Sequence, residues 1–212
     1  MRTQWGLWLV GLWLIEMPLS VAAKQLPSPP FTLPHSADGL PARDASPEDA
    51  LDALARTYGE PKAVAAFLKT TLTFRRDEEL FGEADHWQSP EEFLARKVGD
   101  CEDYALLARA LLRRRGITAH VLSLFGQEGY AHTVCVFLDA QGRYNVIDVD
   151  RARFPRAKTL EALASWLYPG WTFGGLVDQD GARGRMLQRI TNPHPAPGVS
   201  AIDPISSPLA SF

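Results

Sequence analysis

This 212-residue sequence has only two cysteines, no surplus of either charge and no apolar run long enough to cross a bilayer. With 22 basic and 25 acidic residues, the net charge of −3 removes the concentrated basic surface that phosphate binding requires. No nucleic-acid partner is expected. The apolar segment from Trp5 to Ile15 spans eleven residues, against the roughly 20 that a membrane-crossing helix needs. Two cysteines permit at most one disulfide, Cys101 with Cys135, and nothing in the sequence excludes that bridge. No internal repeat is visible. What remains is a globular composition, 46% hydrophobic and 22% charged, long enough for one domain with a real core.

The ends differ from the middle. Arg2, the apolar segment and the small residues Val21-Ala22-Ala23 form the pattern of a signal peptide over residues 1–23, with cleavage before Lys24. An uncleaved membrane anchor is the alternative, disfavoured by the short span and by Glu16. Export is expected, to a periplasm if the host is Gram-negative. Residues 24–45 read as a proline-rich linker, 46–191 as the folded domain and 192–212 as a disordered tail.

The middle opens with helices. Ser46-Pro47 and Ser89-Pro90-Glu91-Glu92 are helix-start signals, the second a capping-box pattern. Helices are expected to about Tyr58, from Pro61 to Leu72, through about Arg96, from Cys101 to Arg115, and from Thr159 to Tyr168. After Gly116 the period shifts to two, predicting strands Ile117 to Phe125, Ala131 to Leu138 and Arg143 to Asp148. Helices packed on an antiparallel sheet make an α+β fold.

Cys101 falls in the first turn of its helix, where the dipole favours a thiolate; the alternative is a small buried hydrophobe. His132 is a polar ring on an otherwise apolar strand, sharing a face with Val134 and Val136 and opposed to that of Cys135. If the following hairpin folds symmetrically about Ala140, His132 faces Asp148, with Cβ atoms about 5 Å apart. A bulge or a two-residue turn shifts that register by one. Thiol, imidazole and carboxylate then supply nucleophile, base and orienting group. The acids around Cys101, Asp100, Glu102 and Asp103, either cap the helix or gather round a divalent cation, for which oxygen ligands suit Ca²⁺.

The stretch Trp87-Gln88-Ser89-Pro90-Glu91-Glu92-Phe93-Leu94, followed by Gly99-Asp100-Cys101-Glu102-Asp103-Tyr104-Ala105, resembles the bacterial transglutaminase-like cysteine proteinases. With His132 and Asp148 the likeness spans roughly residues 70–150. It implies a papain-like, transglutaminase-like core, a Cys101-His132-Asp148 triad and cysteine peptidase activity through a thioester. The resemblance further implies a Ca²⁺ site at Asp100 and Glu102, a cell-surface adhesin as protein substrate, release of biofilm cells, and an inner-membrane regulatory receptor as partner. The sequence departs from the adhesin-clipping members after Asp148, where Val149-Asp150 stand in place of an expected asparagine. Competing readings are a cross-linking or non-catalytic transglutaminase-like domain of the cell envelope, and a structural domain bridged through its two cysteines. The Cys101 backbone N–H, with a donor near Trp87, is the expected oxyanion-binding group.

Overall fold

A computed structural model describes residues 46–194 of the chain. The expected signal peptide, the linker and most of the tail lie outside the described residues. The first helix, α1 (Pro47–Tyr58), starts where Ser46 and Asp49 exchange capping bonds, and α4 (Pro90–Arg96) starts on the same device built from Ser89 and Glu92. Between them lie α2 (Pro61–Thr71), the two-residue strand β1 (Thr73–Phe74) and the short α3 (Asp77–Leu80). After α4 comes β2 (Val98–Gly99), which pairs parallel with β1 and leads directly into α5 (Cys101–Arg114). Helix α5 stops before Gly116, whose φ of 74° ends the helical path.

The remainder is a six-stranded antiparallel sheet with one helix inserted. Its strands are β3 (Ala119–Gly126), β4 (Ala131–Leu138), β5 (Tyr144–Asp148), β6 (Arg151–Ala157), β7 (Trp171–Asp180) and β8 (Arg183–Thr191). The helix α6 (Leu160–Leu167) joins β6 to β7. The spatial order is β6-β5-β4-β3-β7-β8. The α+β class expected from the sequence is the observed one.

Alternation sorts the sheet residues between two cores. Val121, Cys135, Phe137 and Ile147 pack against α1, α2 and α5, whereas Leu122, Leu124, Val134, Val136 and Val146 pack with α6 and Trp171. Cys135 is fully buried and Cys101 half-buried; both are free thiols, which removes the bridged-domain reading.

The β4–β5 register departs from the symmetric hairpin. Cys135 pairs with Ile147 and Val136 with Val146, a two-residue offset that puts Asp148 beside Val134 rather than His132. The turn itself explains the offset. Asp139 accepts from the Gln141 and Arg143 N–H groups and Gly142 takes a φ of 69°, so the loop is centred on residues 140–142 instead of on Ala140 alone. An even shift keeps His132 and Asp148 on one face, as diagonal neighbours within reach of long side chains.

Candidate active site

The start of α5 is built from acids. The Asp100 N–H donates to Asp103 Oδ2 at 3.2 Å, and the Asp100 carbonyl accepts from the Tyr104 N–H at 3.2 Å. Cys101 follows, its Sγ donating to Glu102 Oε2 at 3.1 Å, with the Thr133 backbone amide favouring the thiolate from the other side. The dipole does not prevail here. Burial, then the Glu102 and Asp100 carboxylates, push the thiol well above its ordinary range. The expected lowering of the Cys101 pKa is therefore absent, because dehydration and adjacent anions outweigh half a positive charge at a helix end.

On the sheet, His132 Nε2 and Asp148 Oδ1 are 2.8 Å apart. The hydrogen bond to His132 holds the Asp148 carboxyl below the usual carboxylate range, and Arg153 Nη2 lies 3.3 Å from its other oxygen. Because Asp148 occupies Nε2, Nδ1 is the ring atom left to exchange a proton with a thiol or an amine. The two halves border a common cavity at the open end of the sheet. The β4–β5 ladder begins only at Cys135, so among the described residues no β5 position is paired with the first residues of β4. Cys101 and His132 line one cavity there, of about 550 Å³, together with Asp85, Trp87, Asp100 and Glu102. Trp87 is nearly fully buried, and its indole N–H donates to Asp85 Oδ1 at 2.9 Å. The indole N–H is thus engaged by a carboxylate, which leaves the expected donor near Trp87 to some other group.

The acids are more numerous than the sequence suggested. Asp77 and Asp85 join Asp100 and Glu102; in the sets Asp77-Asp85-Glu102 and Asp77-Asp100-Asp103, one oxygen per residue lies within 4.8 Å of the others. Asp77 is buried, and burial with the nearby Asp100 charge pushes it up to about 6. Burial and the hydrogen bond to Asp100 push Glu102 up to about 10, and burial pushes Asp103 up to about 7. Asp77 Oδ1 and Asp100 Oδ1 are buried with no hydrogen-bond partner. Orphaned carboxylate oxygens converging on one another fit a hard divalent cation, Ca²⁺ above all. Asp103 is committed elsewhere, accepting from the Gln88 N–H at 2.8 Å and from Gln88 Nε2 at 2.6 Å.

Reading the sequence singled out Asp100 and Glu102 but not Asp77, Asp85 or Arg153. No local pattern marks Asp77, which opens a four-residue helix 23 positions before Asp100. It arrives there because β1 pairs with β2, setting Thr73 beside Val98 and Phe74 beside Gly99. A two-residue parallel bridge leaves no periodicity to read.

Comparison with solved structures returns weak likenesses. Calcium-bound LapG of Legionella pneumophila is 17% identical with a TM-score of 0.43, covering 61% of this chain and 76% of its own. EGTA-treated LapG from the same organism gives 17% and 0.41, with 61% and 83% covered. A candidate cysteine protease from Cytophaga hutchinsonii gives 19% and 0.40, covering 50% of this chain; the chain spans only 38% of that protein. No curated protein matches in sequence. The family model for the bacterial transglutaminase-like cysteine proteinases matches residues 42–154, just over half of the chain, and that segment carries Cys101, His132 and Asp148. The chain belongs to this family and is a cysteine peptidase.

Proposed function

We propose that the protein hydrolyses a peptide bond in a protein substrate, with Cys101 as nucleophile, His132 as general base and acid, and Asp148 as the group that orients the imidazole. The observation that carries this reading is the 2.8 Å His132–Asp148 hydrogen bond in a cavity that also holds the Cys101 thiol. His132 Nδ1 takes the thiol proton as sulfur attacks the carbonyl carbon. The scissile C–N bond breaks, the amine leaves with that proton, and the acyl group stays on sulfur as a thioester. Water, deprotonated by the same imidazole, then attacks the thioester and returns the thiol. The Cys101 backbone N–H, at the open end of α5, would hold the oxyanion.

Asp77, Asp85, Asp100 and Glu102 would hold a Ca²⁺ ion. Bound there, it supplies a positive field that offsets the carboxylates beside Cys101 and braces the start of α5. The signal-peptide pattern of residues 1–23 supports export to the periplasm, and the family likeness supports an adhesin-type surface protein as substrate and an inner-membrane receptor as regulator. A thiol-directed peptidyl electrophile tests the chemistry. It should label Cys101 at least about a hundredfold faster than free cysteine, and His132→Ala should abolish that advantage. Retained turnover in Cys101→Ala, on any substrate that the unmodified protein cleaves, would overturn the assignment.

A further inference from the structure

Residues 85–88 run beside the acids, with Asp85 and Trp87 lining the cavity, and each is tethered. Asp85 accepts from the Trp87 indole, the His86 N–H donates to Asp77 Oδ2, and the Gln88 N–H donates to Asp103 Oδ1. Those three tethers stay within the acidic site. The fourth leaves it. Both backbone polar groups of Trp87 are held by the β7–β8 hairpin: its N–H donates to the Ala182 carbonyl at 3.0 Å, and its carbonyl accepts from Gln179 Nε2 at 3.0 Å. The indole lies so close to the hairpin backbone that a Cβ at Gly184 would stand 2.4 Å from it. The hairpin is in turn fixed to α5, where Arg109 Nη1 meets Asp178 Oδ1 at 2.6 Å. The hairpin itself lies beyond residue 154, outside the segment that the family model covers, whereas residues 85–88 and α5 lie within it.

We infer that the β7–β8 hairpin is a clasp that sets the position of residues 85–88, with Gln179 as a positioning residue for the acidic site. The inference rests on the proposed reading of that site as a cation site. The hairpin spans from the middle of α5 to the loop that faces the start of the same helix, so it fixes the distance between Asp85 and the pair Asp100 and Glu102. Cation binding needs those oxygens placed together before the ion arrives, since any ordering left to the ion weakens its affinity.

The test uses the full chain with Gln179→Ala, and Arg185→Ala as a control that removes an ion pair to Asp180 on the same hairpin. Three quantities are measured: amide hydrogen exchange of residues 83–88 in EGTA, the melting temperature in EGTA, and Ca²⁺ affinity by calorimetry. Gln179→Ala should speed exchange at Trp87 and its neighbours about tenfold and weaken Ca²⁺ binding about tenfold. Its metal-free melting temperature should drop no further than that of the control. Unchanged exchange in 83–88 overturns the clasp. Faster exchange with unchanged Ca²⁺ affinity overturns its role at the acidic site. If the unmodified protein takes up no Ca²⁺, the cation reading falls, and exchange at Trp87 alone still decides whether the clasp exists.

Discussion

The two ends of α5 carry opposite charges for the same reason and to different ends. At the C-terminal end Arg113 donates to the Ala119 carbonyl at 2.7 Å, and Arg114 pairs with Glu48 and Asp52 of α1. Cations there meet carboxylates and carbonyls, and those of α1 are exposed at the surface. At the N-terminal end Glu102 and Asp103 are 6% and 0% exposed, and the neighbours of Glu102 are further carboxylates. Acids favour a helix start, but one capping residue suffices for that. Charge of the right sign facing its complement is architecture. Charge of the right sign, buried and facing its own kind, asks for a ligand.

The largest effect expected is at the N-terminal end. Cys101→Ala and His132→Ala should each lower kcat by about three orders of magnitude or more while leaving thermal unfolding cooperative. Asp148→Asn should fall short of that, since the imidazole is misplaced rather than lost. Turnover assays with differential scanning calorimetry on each variant would decide it.

Next comes the metal. Saturating Ca²⁺ at about a hundred times its Kd should stabilise the folded protein by about 2.7 kcal/mol, raising the melting temperature by roughly 5–10 °C over the EGTA-treated form. Asp77→Asn and Glu102→Ala should each abolish that shift, whereas Cys101→Ala should keep it. A metal-independent melting temperature in the unsubstituted protein would return the acids to the role of caps.

A pH series sharpens the contrast. Burial raises Asp77 to about 6 and Asp103 to about 7, so their ionised forms are disfavoured in the folded state. The unfolded chain releases those protons near pH 4. Metal-free stability should therefore fall as pH rises from about 4 to 7, and Ca²⁺ should flatten or reverse the slope. Denaturant titrations across that range, with and without EGTA, measure it. A metal-free slope of the opposite sign would contradict the buried, mutually repelling carboxylates.

The smallest effect lies at the other end of the helix. Arg114→Ala should cost no more than about 1 kcal/mol, as expected for ion pairs with half-exposed and exposed partners, and should leave Ca²⁺ affinity and turnover unchanged. A loss of metal binding in that variant would mean that the two ends are coupled through the helix.

How far these regions were legible follows from what each leaves in the chain. Ser46 and Ser89 announce their helices through capping residues three positions apart, and β4 was read at its observed bounds, Ala131–Leu138. By contrast β7 hides because Gly174-Gly175 looks like a turn. Side chains there would strike the Ser123 and Gln188 carbonyl oxygens, so the glycines serve close strand approach. The next strand, β8, hides because Arg183, Arg185 and Arg189 make it read as solvated surface, and its register shifts at Leu187. At the site, Asp100 and Glu102 are legible beside the nucleophile and His132 with Asp148 through one hairpin, whereas Asp77 and Arg153, delivered by pairings with no periodicity of their own, are not.

The burial of Cys135 has a practical consequence. Sealed within the core, its thiol is closed to reagents in solution, whereas Cys101 lines the open cavity. To a reagent that cannot unfold the protein, this two-cysteine chain is a single-thiol molecule. The moles of label taken up per mole of protein therefore count intact Cys101 directly, which under the proposed function is an active-site titration that needs no knowledge of the substrate.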